Sequence, residues 1–156
     1  MRLFSPAFGD GDRIPARYAN VGVSGGANAS IPLRWEEEPA ATRSYALAII
    51  DRHPVAHGWV HWLVADLPAS VHSLEEGASG TAMPAGAVEL RNSWDRTGYG
   101  GPQPPVGSGT HDYVVTLYAL DVERLDVGAK TGWTAVSEAM RGHVLEDATL
   151  IGCLGR

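Results

Sequence analysis

The 156-residue chain is long enough to bury a core and short enough for one domain, residues 1–156. Twelve Lys and Arg against eighteen Asp and Glu leave a net charge of −6, which excludes a general nucleic-acid binder, since that needs a basic field to neutralise phosphates. The single cysteine, Cys153, excludes an internal disulfide and a multi-cysteine zinc site. It also suits a reducing compartment. The opening Met1-Arg2-Leu3-Phe4-Ser5-Pro6 lacks the apolar stretch of a secretory signal, and no run reaches the length of a membrane span. A cytoplasmic domain without stable membrane insertion is expected.

Taken in chain order, the first forty residues are too rich in Gly and Pro for a useful helix, yet Leu3, Phe4, Ile14, Tyr18, Val21 and Val23 punctuate them, so short strands and loops are expected. Tyr45–Asp51 is apolar on both faces, as a strand buried between two layers should be. Trp59–Val64 follows after Pro54 and Gly58 and reads as its antiparallel neighbour. Tyr113–Leu120, rich in β-branched and aromatic residues, is a third strand. A helix is expected after a Thr131 cap, with Trp133, Val136 and Met140 on one face and Gly142 as its stop. A last strand covers Ala148–Leu154, with Cys153 buried in it. The pattern is mainly β, a sandwich of antiparallel sheets with one or two short helices.

Three constellations bear on chemistry. Gly22-Val23-Ser24-Gly25-Gly26 matches the nucleophile-elbow pattern of hydrolases, but Ala27–Pro32 does not open the helix that such a turn requires, so a plain turn is expected. His53, His57 and His61 are spaced by four, yet Pro54 and Gly58 argue against a helix, and neither Cys nor a well-placed Glu completes a ligand set, so no metal is expected. His53, His57, His72 and His143 read as surface or capping residues. The third constellation is Asp51 at the end of one strand, His61 in the next, and His111 after the Gly/Pro-rich loop Gly98–Gly109. Free backbone N–H groups in such a loop suit an anion, and a histidine beside them can hold a phosphate or carboxylate. Each of these histidines can equally satisfy a hydrogen bond in a core or a turn.

These residues resemble the phosphatidylethanolamine-binding protein family, particularly its bacterial Raf-kinase-inhibitor-like branch. The resemblance runs nearly end to end. It is carried by Phe4-Ser5-Pro6-Ala7-Phe8, by Gly26-Ala27-Asn28-Ala29-Ser30-Ile31-Pro32-Leu33-Arg34-Trp35, and by Asp51-Arg52-His53-Pro54 followed by Gly58-Trp59-Val60-His61-Trp62. The stretch Tyr99–Tyr113 and the ending around Gly142-His143-Val144-Leu145 complete it. The resemblance implies the antiparallel sandwich with a small anion pocket at one end, formed by Asp51, His61, Tyr99, Pro105, His111 and Tyr113, with Trp59 beside it. Asp51 is then expected to set the tautomer or charge of His61, while His61 and His111 donate to the anion and Tyr99 and Tyr113 close the walls. Trp59 is the one tryptophan expected at the site.

Two residues depart from the family pattern. Arg52-His53 stands where a second Asp is expected, and Asp112 where an Arg should follow His111. An Arg52–Asp112 ion pair, a charge swap, is the expected reading. An Asp112 facing the pocket would instead weaken phosphate binding.

The leading reading is a binding module without a cofactor for a small phosphate-, carboxylate- or headgroup-like anion, with regulation of a kinase or other partner as its implied role. One alternative is a lyase, isomerase or cyclase using Asp51, His61 and His111 for acid–base work. Another is a protein-interaction module with a vestigial pocket. A homodimer and a protein partner stay open.

Overall fold

A computed structural model describes all residues, 1–156. The strands are β1 (Arg2–Phe4), β2 (Leu33–Glu36), β3 (Ser44–Asp51), β4 (Val60–Pro68), β5 (Ser73–Leu74), β6 (Val88–Glu89), β7 (Thr110–Leu120) and β8 (Val144–Gly155). One α-helix, α1 (Trp133–Ala139), and two single 3₁₀ turns, Ala16–Tyr18 and Pro54–Ala56, complete the regular structure. A three-stranded sheet runs β1-β2-β5 and a five-stranded sheet runs β6-β4-β3-β7-β8, with every paired strand antiparallel. The chain is therefore mainly β, with antiparallel sheets and one helix, as expected.

Strand alternation explains why β3 is apolar on both faces. Tyr45, Leu47 and Ile49 join Leu33, Trp35, Trp62, Val115 and Leu117 in the core between the sheets. Ala46, Ala48 and Ile50 face the other way and pack with Val60, Leu63, Leu125, Val136 and Met140, where α1 and its flanking loops cover the sheet. Thus one strand serves two cores. The period-2 rule also puts Asp51 on the Tyr45-Leu47-Ile49 face, and His111 and Tyr113 on the Val115-Leu117 face of β7, which is the same side of the sheet.

Several boundaries differ from expectation: β4 runs Val60–Pro68 rather than Trp59–Val64, β7 starts at Thr110 rather than Tyr113, and α1 and β8 start elsewhere too. The cap of α1 is Gly132, with no side-chain hydrogen bond, rather than Thr131. Thr131 lies one residue outside, in a turn closed from its N–H to the Gly128 carbonyl (2.8 Å), while its own carbonyl accepts from Arg91 N–H (3.2 Å). The last strand starts at Val144, four residues earlier than expected. Its first half is a largely solvent-exposed edge paired with β7, so burial-type apolar alternation does not mark it.

The irregular N-terminal third has a definite task. Asn20 N–H donates to the Pro102 carbonyl (3.0 Å), Gly101 N–H to Asn28 Oδ1 (2.7 Å) and the Tyr99 hydroxyl to the Tyr18 carbonyl (2.7 Å). These bonds stitch residues 18–28 to residues 99–102. Gly22–Gly26 forms successive turns there, with Val23 N–H on the Asn20 carbonyl and Gly26 N–H on the Val23 carbonyl, so the elbow-like motif leads into no helix. The contact is closest at Gly101, where a Cβ would collide with the Tyr18 carbonyl oxygen and sit 2.6 Å from Asn20 N. Backbone cannot yield there as a flexible side chain could. We expect Gly101→Ala to destabilise the protein by about 1–3 kcal/mol in urea unfolding, the usual range for overpacking. Gly128→Ala, with nothing within 4 Å of the added carbon and no positive φ, should be neutral or slightly stabilising.

Candidate functional site

Where β3 ends and β4 and β7 begin, the sheet opens into a cavity of about 490 Å³. Its wall holds Asp51, Trp59, His61, Pro105, His111 and Tyr113, together with Val55, Ala56, His57 and Gly58 from the Pro54–Ala56 turn, Ser93 and Trp94, and Gln103 and Pro104. Six of the seven residues expected at the site come together. Tyr99 stands behind the wall: its ring packs edge-on against Trp62 at 5.6 Å and its hydroxyl is committed to the Tyr18 carbonyl. No Lys or Arg lines the cavity.

Asp51 is buried and both its oxygens are used. Oδ1 accepts from His53 N–H (2.8 Å) and Oδ2 from His111 Nδ1 (2.6 Å). On the other side of the ring, His111 Nε2 lies 2.8 Å from Ser108 Oγ, whose proton is directed to the Pro105 carbonyl at 2.7 Å. A hydroxyl has one proton, so a Ser108 that donates to Pro105 can only accept from His111. With Asp51 accepting at Nδ1, the His111 ring is held at both nitrogens. His53 stacks on His111 with ring centroids 3.9 Å apart.

His61 is held differently, and its position comes from an irregularity in the sheet. Ile49 stands opposite Trp62 and Ile50 opposite Val60, so the register skips His61, and such bulges re-aim side chains. Its Nδ1 donates to the Gly100 carbonyl at 2.7 Å. Burial pushes its pKa down to about 4, against the upward pulls of the Gly100 carbonyl, the Asp51 charge and the Gly101 backbone. The ring is therefore neutral at pH 7, and Nε2 carries a lone pair. This corrects the expectation that Asp51 fixes His61: Asp51 orients His111, and the Nδ1 proton of His61 is spent on the Gly100 carbonyl.

Tyr113 supplies the missing donor. Its side chain is fully buried, yet its hydroxyl has no hydrogen-bond partner among protein atoms. Burial first, then the charge and the hydrogen-bonding proximity of the Asp51 carboxylate, raise its pKa well above the ordinary phenol value against the pull of Arg156, so it keeps its proton.

The two departures from the family pattern fall outside the cavity. Asp112 points to the opposite face of β7, where its carboxylate accepts from the Cys153 thiol at 3.2 Å. The expected Arg52–Asp112 ion pair does not form. The two residues meet only through backbone, Arg52 N–H to the Asp112 carbonyl at 2.9 Å. Cys153 is correspondingly half-buried at the sheet surface rather than buried, and burial and Asp112 push its thiol pKa up.

The histidines spaced by four do not converge. His53 caps the Pro54–Ala56 turn through Nδ1, His57 takes the left-handed conformation at that turn's end (φ 50°), and His61 lies in β4. His72 and His143 lie at the surface beside Glu38 and Asp121. Sequence reasoning missed three participants. His53 lies beneath His111, Ser108 fastens it, and Trp94 stands edge-on to both His61 (5.1 Å) and Trp59 (5.3 Å). For Trp94 a signal existed in Asn92, whose side chain folds back onto the N–H groups of Trp94 and Arg96 as turn-forming Asn does.

The sign of the pH dependence follows from His61. Its folded-state pKa near 4 lies below the ordinary 6.5, so as pH falls the unfolded chain takes the proton first and stability drops between those values. By pH 4.5 the loss is about 2–3 kcal/mol. His61→Gln should lack this part of the acid limb, so its urea-unfolding free energy should fall less than wild type's between pH 7 and 4.5.

Comparison with known proteins identifies the family and the fold. The family model described as phosphatidylethanolamine-binding protein matches residues 4–154. The YbhB protein of Escherichia coli is 38% identical over 154 residues, 96% of this chain and 97% of the relative. A Mycobacterium tuberculosis protein named as a lipoprotein, LppC, is 37% identical over 97% of this chain and 71% of its own length. The crystal structure of E. coli YbcL, described as a member of the mammalian PEBP family, superposes with a TM-score of 0.93 at 29% identity, covering 99% of this chain and 98% of that one. No helix here is long and apolar enough to cross a membrane. With a family model spanning nearly the whole chain and relatives this similar along their length, the chain belongs to the phosphatidylethanolamine-binding protein family.

Proposed function

We propose that the protein is a small-ligand binding module whose cavity takes an oxyanion, a phosphate- or carboxylate-type group, at the end of the five-stranded sheet. The observation that carries this reading is the Tyr113 hydroxyl, a fully buried donor in the cavity wall with no partner in the protein. A buried polar group without a partner costs free energy, and such groups in native folds call for an explanation. A ligand oxygen accepting from Tyr113 supplies one. The Asp51–His111 hydrogen bond supports it, because a carboxylate whose two oxygens already accept N–H groups is turned away from a second anion. The aromatic edges of Trp59 and Trp94 suit the remainder of a headgroup-sized molecule. We place this function in the cytoplasm, where a chain with one free thiol is at home.

The acid–base alternative rests on the chain Asp51–His111–Ser108, which has the order of a carboxylate, an imidazole and a hydroxyl. Ser108 gives its proton to Pro105, and it stands outside the cavity wall. The chain is thus wired to hold the ring still, and binding is the reading we adopt.

Phosphoethanolamine, inorganic phosphate and acetate are the probes, followed through histidine ring NMR signals and by calorimetry. Selective shifts at His61 and His111 are expected. Tyr113→Phe should weaken binding about 10- to 100-fold, as for a hydrogen bond to a charged group. Its ligand-free stability should be equal to or above wild type's. Absence of any ring shift with all three probes, or wild-type affinity in Tyr113→Phe, would sink the proposal.

A further inference from the structure

Two hydrogen-bonding groups in the wall are open to a ligand, and they are of opposite kind. Tyr113 offers a proton. His61 has given its Nδ1 proton to the Gly100 carbonyl, which leaves Nε2 as the ring nitrogen without a protein hydrogen bond, on a side chain that forms part of the wall. The groups facing His61 are Asp51 from β3, His111 and Tyr113 from β7, and the edge of Trp94. His111 is already engaged at both nitrogens by Asp51 and Ser108, and no Lys or Arg lines the cavity to compensate a second negative charge. An anion with only lone pairs would meet a lone pair at Nε2. An anion that also carries an acidic proton would donate to Nε2 and accept from Tyr113.

Resting on the oxyanion reading above, we infer that the cavity selects a monoprotonated phosphate monoester, or inorganic phosphate, over oxyanions without an acidic proton such as phosphodiesters and sulfate, with His61 as the specificity-determining acceptor. A phosphate monoester loses its second proton near pH 6, so its monoanion remains available around neutrality. A phosphodiester has no such proton. An intact lipid headgroup is a diester and falls in the disfavoured class, whereas phosphoethanolamine and other free monoesters fall in the favoured one. The depressed pKa of His61 supports the same reading, because a proton-free anion could be matched only by charging a ring that resists it. Whichever of the two atoms holds the proton in the complex, binding the dianion from solution takes up one proton.

The test compares methyl phosphate, dimethyl phosphate and sulfate by calorimetry at pH 6, 7 and 8, each in two buffers of different ionisation enthalpy. Methyl phosphate should bind with an uptake of close to one proton at pH 8, its affinity falling about tenfold between pH 7 and 8. Dimethyl phosphate and sulfate should bind at least about tenfold more weakly at pH 7, with no comparable pH dependence. Phosphoethanolamine against glycerophosphoethanolamine repeats the contrast for a headgroup free of its lipid and one still in diester form. Equal affinity for the diester, sulfate and monoester, without proton uptake, overturns the inference and leaves the oxyanion reading standing. If none of the probes binds, the oxyanion reading falls and this inference with it.

His61→Gln, whose amide can turn a donor towards the anion, should narrow the gap between sulfate and phosphate. A wild-type check does not depend on that variant folding. In a long-range proton–nitrogen spectrum of ligand-free protein at pH 7, His61 Nε2 should resonate as an unprotonated ring nitrogen. A protonated Nε2 there refutes the assignment.

Discussion

The carboxylate of Asp51 is the group on which the cavity wall hangs. It sits at the last position of β3, buried, opposite Tyr113 on β7 and with its own N–H on the Trp59 carbonyl of the neighbouring side. One oxygen receives His53 N–H and so starts the Pro54–Ala56 turn, which delivers His57, Gly58 and Trp59 to the rim. The other receives His111, which Ser108 holds from the far side and through which the Gly/Pro loop is tied down. A single buried charge thus sets both loops that frame the opening. Isolated, that charge would be very costly. Paired with His111 and hydrogen-bonded at both oxygens, it becomes a rigid piece of wall, and removing either partner would leave an uncompensated buried group.

The cavity holds two buried histidines that burial alone would treat alike. What separates them is the partner at Nδ1. A carboxylate stands at His111 and favours the charged ring, whereas a carbonyl stands at His61 and fixes a tautomer without supplying charge. The carbonyl belongs to Gly100, in the segment stitched to residues 18–28 by Asn28, Tyr99 and Gly101. The irregular N-terminal third therefore acts on the site at a distance, by deciding where the Gly100 oxygen lies. Tyr99 belongs to this same support. It shapes the cavity by anchoring the backbone behind it.

Much of the fold was legible because the strands advertise themselves. Tyr45–Ile50 and Tyr113–Leu120 are apolar in the β-branched and aromatic manner of buried strands, and the motif order around Asp51, His61 and His111 carried the resemblance to the family. Which acid serves which base was not legible. Asp51 and His61 lie ten residues apart across a tight connection and look like natural partners. The register skips His61, however, and puts Tyr113 opposite Asp51, so that His111 meets the carboxylate instead. A bulge leaves no mark in composition or period. Likewise, Arg52 and Asp112 suggested a charge swap by type alone, but adjacent strand residues face opposite sides, and β7 sends Asp112 to Cys153. Nothing in type or spacing singles out Ser108 within Gly98–Gly109, because its role depends on the turn that brings it to His111.

Burial of His61 joins two properties that seem unrelated. Taking the ring out of water disfavours its charged form, and this makes the fold sensitive to acid. The same desolvation, with Nδ1 spent on Gly100, is what presents a lone pair to the cavity at neutral pH. A more exposed ring would titrate near neutrality and act as donor or acceptor according to conditions. A buried ring next to a carboxylate would be a fixed donor, as His111 is. Only the buried ring on a carbonyl is a fixed acceptor, and its acid-labile stability is the physical counterpart of that fixed role. With no Lys or Arg in the cavity wall, the proposed recognition falls to this donor–acceptor match at short range.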